Sequence, residues 1–161
     1  MLPRAFALTW LGYFGFYLCR KNFSVLMPYL KSEAGLSSTD LANALFVYGV
    51  AYAAGQFLNG RLADRVGARM VVTAGMLISA AASAFMAWPA WVGIPVILIV
   101  LQGINGMAQS TGWPGLLKLT RDWFPTSNRG VTLGWWSTNM VAGGFAGTWI
   151  AARTPRLHPV E

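Results

Sequence analysis

Five apolar stretches, 6–30, 41–62, 70–88, 92–113 and 130–152, take up most of this chain. Each approaches the roughly 20 residues that an α-helix needs to cross a bilayer. Backbone N–H and C=O groups in lipid must be satisfied within their own element, so stretches of this length predict helices. The expected fold class is therefore all-α and integral to the membrane, with about five transmembrane helices and the lipid bilayer as solvent. Composition agrees: 55% of residues are apolar and 11% charged, against about 25% charged in soluble proteins. A net charge of +7 does not imply a nucleic-acid partner, because the cations lie between spans and not on one exposed face or arm. The first stretch is interrupted by Arg20-Lys21 and no small-residue cleavage site follows it, so it reads as a retained helix and not a signal peptide.

The loops set an orientation. Arg4, the Arg61/Arg65/Arg69 cluster and the Lys118/Arg121/Arg129 cluster alternate with Lys31 alone and with the uncharged turn 88–93. Positive residues favour the cytoplasmic side, which puts the N-terminus and both basic loops there; Trp88 and Trp91 flank the short outer turn, at the depth indole rings prefer. Within the spans, Gly49/Ala53, Ser79/Ser83, Gly106/Ser110 and Gly143/Gly147 recur at spacings of four, a pattern that lets helix backbones approach closely. Cys19 is the single cysteine and His158 the single histidine. Neither supports a disulfide within the chain, a multi-cysteine metal site or redox chemistry, and Cys19 reads as a small apolar filler.

Arg20 and Lys21 stand in the middle of the first span, with no other charge between Arg4 and Lys31. At helical rise they lie about 24 Å from Arg4 and about 16 Å from Lys31. A cation at that depth costs about 2.5 kcal/mol or more unless it is paired. The acids Glu33, Asp40, Asp64, Asp122 and Glu161 all fall in loops or near span ends, so the pair predicts a site for an anion. Tyr13, Tyr17, Arg20 and Ser24 follow one another at three- and four-residue steps and share a helix face. The planar guanidinium matches two oxygens of a phosphate, whereas Lys21, rotated about 100° around the helix, lines the pocket edge or steadies a neighbouring span. Asn105, Gln109 and Trp113 make a second polar stripe in the fourth span, with an interhelical hydrogen bond as the alternative role of Asn105. Tyr48, Tyr52 and Gln56 make a third in the second span.

The segment from Gly60 to Arg69, Gly-Arg-Leu-Ala-Asp-Arg-Val-Gly-Ala-Arg, reads as a ten-residue turn whose glycines permit sharp reversals. It resembles the G-x-L-a-D-R-x-G-x-R signature of the major facilitator superfamily, in the family's position between spans two and three. The resemblance implies that Gly60, Asp64, Arg65, Gly67 and Arg69 form the gating loop that braces the inward-closed gate. A narrower resemblance runs through three stretches: Gly12 to Pro28 (GYFGFYLCRKNFSVLMP), Gly106 to Pro114 (GMAQSTGWP) and Arg121 to Phe124 (RDWF). Together these are similar to the organophosphate:phosphate antiporters, which include the glycerol-3-phosphate and hexose-phosphate transporters. The resemblance implies that Arg20 grips a substrate phosphate, assisted by Lys21, Tyr13 and Tyr17, with Gln109 and Trp113 along the substrate path. Ser24, Tyr52, Gln56, Asn105 and Asn139 are further pocket candidates. The bacterial glycerol-phosphate members carry lysine where Gln56 stands and histidine near Met140, so the particular organic phosphate is left open.

The resemblance also implies an alternating-access transporter that exchanges organic phosphate for inorganic phosphate, in the plasma membrane and, for a bacterium, the inner membrane. A sugar-phosphate sensor of the same fold that signals to a membrane kinase, and a facilitator for another organic anion, remain as alternatives. No nucleotide loop, catalytic triad or metal-ligand cluster is legible in the sequence, so no enzyme activity, cofactor or metal is expected. Residues 1–152 read as a partial N-terminal bundle, because facilitator halves contain six spans and the site forms between two halves. Residues 153–161 form a proline-broken polar tail. The expectation is a fragment whose C-terminal half, with its own phosphate-binding arginine, is missing.

Overall fold

The computed structural model describes residues 2–88, 93–123 and 128–153, with the side chains of residues 2, 3, 117 and 119–123 excepted. These residues form α1 (Leu2–Ser32), α2 (Ser38–Val66), α3 (Ala68–Met86), α4 (Pro95–Gln109), α5 (Gly112–Trp123) and α6 (Arg129–Arg153). No strand occurs among them. By length and hydropathy α2 and α3 qualify as membrane crossings. The 31 residues of α1 and 25 of α6 are also long enough, but polar residues interrupt their apolar runs. The bundle is apolar on its outside: Phe57, Val141 and Phe145 are 80%, 76% and 73% exposed, and the inward faces hold Gln102, Asn105, Gln109 and Asn139, all buried. Lipid as the outer solvent makes that inversion favourable.

Local chemistry sets where the helices begin and end. Ser37 caps α2 reciprocally with Asp40: the Asp40 N–H donates to Ser37 Oγ at 3.1 Å, and the Ser37 N–H donates to Asp40 Oδ2 at 3.1 Å. At its other end α2 runs on through Gly60, Asp64 and Arg65, and only Gly67, at φ +94°, breaks it from α3. The expected ten-residue turn is therefore a single-residue hinge. Gly60 is helical and faces open space, so one of the two glycines assigned to sharp reversals makes none. Helical hydrogen bonds are cheaper to continue than to break, so α2 carries Gly60 within the helix and ends where Gly67 takes a positive φ.

The fourth stretch also differs from its expected form. Instead of one helix over 92–113, α4 stops at Gln109 and α5 starts at Gly112. Pro114 lacks the N–H that would bond the carbonyl of Ser110, and its ring crowds that turn. The hydroxyls at the break take over: Ser110 Oγ donates to Met107 O at 2.6 Å and Thr111 Oγ1 to Ala108 O at 2.8 Å. From α2, Asn59 Nδ2 donates to Met107 O at 3.1 Å and to Ser110 Oγ at 2.7 Å. The outer turn 88–93 begins with the exposed Trp88, and Trp91 lies outside the described residues, as do the side chains of the RDWF stretch and the tail from residue 154.

Two pairs dominate the packing, α2 against α4 and α1 against α6, while α3 packs on α4 and α5. Glycine makes both pairs close. A Cβ on Gly106 would stand 2.4 Å from Tyr48 O, and one on Gly143 would stand 2.8 Å from Phe14 O. Of the four small-residue pairs, Gly49/Ala53 is not used this way, since Gly49 meets nothing within 4 Å and both residues are exposed. From the α1–α6 pair, the long Arg20 side chain reaches across to the α2–α4 pair.

Candidate functional site: a guanidinium held between tyrosines

Arg20 reaches from α1 into the seam where α2 meets α4. Its Nε donates to Gln109 Oε1 at 2.8 Å. The same oxygen accepts from Tyr48 OH at 3.0 Å. Two rings lie close to the guanidinium, with Cζ 4.8 Å from the Tyr17 centroid and 5.0 Å from that of Tyr52. Each ring offers its negative face to the cation, and such contacts are worth about 0.5–2 kcal/mol depending on desolvation. The guanidinium is thus packed close to both rings and bonded through Nε. Nη2 is buried and has no hydrogen-bond partner. Among the described residues no carboxylate pairs with Arg20; the acid on α2 nearest the hinge, Asp64, instead accepts from Lys118 Nζ at 2.6 Å near the end of the bundle.

Behind Gln109 is a second layer of polar groups. Its Nε2 donates to Ser79 Oγ at 3.2 Å and, at 3.4 Å, to Asn105 Oδ1. Ser79 Oγ in turn donates to Asn105 Oδ1 at 2.7 Å. All three residues are no more than 2% exposed. Asn105 therefore takes the interhelical role, bonded to α3 and to its own helix, and stands behind the cation instead of beside it.

Tyr13, 2% exposed, is the hub of an aromatic cluster that supports the site from the α6 side. Its ring centroid lies 5.5 Å from Tyr17, 5.9 Å from Trp113 and 5.2 Å from Trp136. Trp136 is anchored by donating from Nε1 to Thr9 Oγ1 at 3.2 Å. Trp113, though on α5, is brought to the cluster because the break after Gln109 re-aims the chain. Gln56 is half-buried one turn beyond Tyr52 on α2, and Ser24 is exposed one turn beyond Arg20.

Lys21 is placed elsewhere. It is exposed, and its stem runs over the glycines of α6: a Cβ on Gly147 would stand 3.3 Å from Lys21 Cβ, and one on Gly144 3.7 Å from Lys21 Cε. Of its two expected positions, the structure gives the one alongside a neighbouring span. Asn139 is fully buried, with neither Oδ1 nor Nδ2 hydrogen-bonded. Participants not on the list of candidates drawn from the sequence include Tyr48, legible only as part of the Tyr48/Tyr52/Gln56 stripe, Ser79, legible only as one of many small residues, and Trp136 with its anchor Thr9.

A helical bundle that is apolar outside and buries a guanidinium with an unbonded donor has the character of a polytopic membrane protein. Comparison with known proteins makes this specific. Residues 9–153 match the Major Facilitator Superfamily, and the chain belongs to that family. Over 135 residues it is 35% identical to the glycerol-3-phosphate transporter of Bacillus subtilis, an alignment covering 83% of this chain and 30% of that protein. It is 29% identical over 141 residues to a probable hexose phosphate transport protein of Chlamydia trachomatis, covering 88% of this chain and 30% of the relative. A glucose-6-phosphate exchanger of Xenopus laevis is 34% identical over 104 residues, 63% of this chain and 21% of that protein. The chain thus spans about 30% of the length of the first two relatives.

Proposed function

We propose that this protein supplies the cationic wall of a phosphate site in a secondary transporter, which exchanges an organic phosphate for inorganic phosphate by alternating access. The observation that carries this reading is the state of Arg20: its Nε is bonded and its Cζ lies 4.8 and 5.0 Å from the centroids of two tyrosine rings, while Nη2 is buried without a partner. A cation so held loses hydration and has no counter-ion among the described residues, and the anion that best fits its remaining edge is a group with several oxygens in one plane or tetrahedron. Relatives that carry glycerol 3-phosphate and hexose phosphate by name narrow the choice to organic phosphates.

Tyr17 and Tyr52 pack against the guanidinium, and Tyr13, itself braced by Trp113 and Trp136, packs on Tyr17. In facilitators the site lies near the midplane between two repeated bundles; the opposite wall of this site would come from a second bundle. An unoccupied site leaves the cation uncompensated during the rocking of the halves, which disfavours reorientation without cargo and makes exchange the preferred mode. The hinge at Gly67 and the charges Asp64, Arg65 and Arg69 serve as the cytoplasmic gate in this reading. The membrane is the bacterial plasma membrane, with the N-terminus in the cytoplasm.

The test is transport by the intact protein in proteoliposomes loaded with inorganic phosphate, reading uptake of labelled glycerol 3-phosphate and glucose 6-phosphate. Uptake should require phosphate on the far side, disappear in Arg20→Ala, and return only in part in Arg20→Lys. Uptake indifferent to internal phosphate would overturn exchange, and wild-type uptake by Arg20→Ala would overturn the site.

A further inference from the structure

We infer that Ser79 and Asn105 are positioning residues that set the orientation of the Gln109 amide and, through it, the edge of Arg20 presented to phosphate. This inference rests on the anion-site reading of Arg20 and deepens it. An amide has two chemically different ends that occupy almost the same shape. If the Gln109 side chain flipped, its NH₂ would face Arg20 Nε and Tyr48 OH. A donor would then confront the guanidinium, and Nε would lose the acceptor that it has at 2.8 Å.

The protein prevents this from behind. Asn105 Oδ1 is an acceptor, receiving from Ser79 Oγ at 2.7 Å and from Gln109 Nε2 at 3.4 Å. The Ser79 hydroxyl spends its one proton on that oxygen, and only its lone pairs are left toward Gln109 Nε2 at 3.2 Å. Gln109 therefore meets acceptors on the α3 side and donors on the α1 and α2 side. Only one orientation satisfies both. The chain of bonds starts on α3, passes through α4 and ends on α1, and none of Ser79, Asn105 or Gln109 is more than 2% exposed. With Oε1 already accepting two bonds and Nε2 donating into the second layer, Gln109 acts through Arg20 and not as a ligand of the cargo.

The sequence gives no preference among these roles, since Ser79 is one small residue in an apolar span and Asn105 is one turn from Gln109 on the same face. The distinction depends on which proton goes where, and the sense of the chain is set by Arg20 Nε, which can only donate to Gln109.

The experiment measures equilibrium binding of inorganic phosphate to the intact detergent-purified protein, normalised to the folded fraction. Ser79→Ala and Asn105→Leu should each weaken binding by about five- to tenfold, the loss expected when one oriented hydrogen bond to a charged site is removed. Ser79→Thr, which keeps the hydroxyl, should restore most of the affinity. In a Gln109→Leu background, Ser79→Ala should have no further effect, because the relay acts only through the amide. A role confined to helix packing would lower the melting temperature, leave the affinity of the folded fraction unchanged, and add independently to Gln109→Leu. Wild-type affinity in folded Ser79→Ala or Asn105→Leu, or additivity with Gln109→Leu, would overturn the relay. Arg20→Ala in the same assay separates the two readings: its loss of binding with no effect of Ser79→Ala removes the relay alone, whereas unchanged binding in Arg20→Ala removes the phosphate site itself.

Discussion

Arg20 Nε and Gln109 Oε1, 89 residues apart in sequence, stand 2.8 Å from each other at the junction of α1 and α4. The contact neutralises none of the charge on Arg20. In the proposed function this leaves the cation available for an anion, which a carboxylate at the same place would not. The amide at position 109 is then a requirement of the proposed site, and it is open to direct test.

Gln109→Glu should abolish that availability. The carboxylate would pair with Arg20 at charge-assisted hydrogen-bond distance, and an added anion would then have to compete with it. Binding of inorganic phosphate should fall by about tenfold or more, since a buried pair is costly to break. Equilibrium binding on the purified protein reads this, and unchanged affinity would show that Gln109 does not govern the charge state of the site.

Two glycines on the paired helices α2 and α4 should respond in opposite senses. Gly106→Ala drives a Cβ to within 2.4 Å of Tyr48 O, a backbone atom that cannot swing aside. Overpacking of this kind costs about 1–3 kcal/mol. Gly49→Ala meets nothing within 4 Å and removes the helix penalty of glycine, a gain of about 0.5–1 kcal/mol. Thermal melts in detergent should shift down for the first and stay level or rise for the second. Equal shifts would contradict the α2–α4 crossing described above.

The hinge between α2 and α3 makes a similar contrast. Gly67→Ala imposes a side chain at φ +94°, which costs about 1 kcal/mol or more. Gly60→Ala falls inside a helix facing open space and should be neutral or stabilising. Both substitutions sit within the same signature segment, so a melt series distinguishes a one-residue hinge from a flexible ten-residue turn: only in the flexible turn would the two cost alike.

Orientation is checked at two exposed positions at opposite ends of the α2 region, in a Cys19→Ser background. Val66→Cys should react with impermeant maleimide from the cytoplasmic side alone, and Glu33→Cys from the outside alone. The reverse pattern would invert the assignment drawn from the arginine distribution. Reaction of both from one side would mean that α2 does not cross.

The sequence by itself determined that the chain is a bundle of membrane helices and that Arg20 is its costly residue. Both follow from local quantities, the length of apolar runs and the price of a charge far from water, which need no knowledge of neighbours. The signature around Asp64 and the stretches around Arg20 and Trp113 were enough to point to the facilitator superfamily, and the comparison over residues 9–153 agrees. Tertiary structure alone decided which polar groups meet. Arg20 and Lys21 are adjacent in sequence, and the turn of the helix separates them, but only the packing of α1 against α6 puts Lys21 over Gly144 and Gly147. Asn105 and Gln109 share a face of α4, yet the serine on α3 at 2.7 Å from Asn105 and the tyrosine on α2 at 3.0 Å from Gln109 give the two amides different roles. The stretch 92–113 read as one helix, and neither its break after Gln109 nor the delivery of Trp113 to Tyr13 was legible before the structure. Hydrogen-bond partners in a membrane bundle come from different helices, and the periodicity of one helix fixes which residues share a face without fixing what that face will touch.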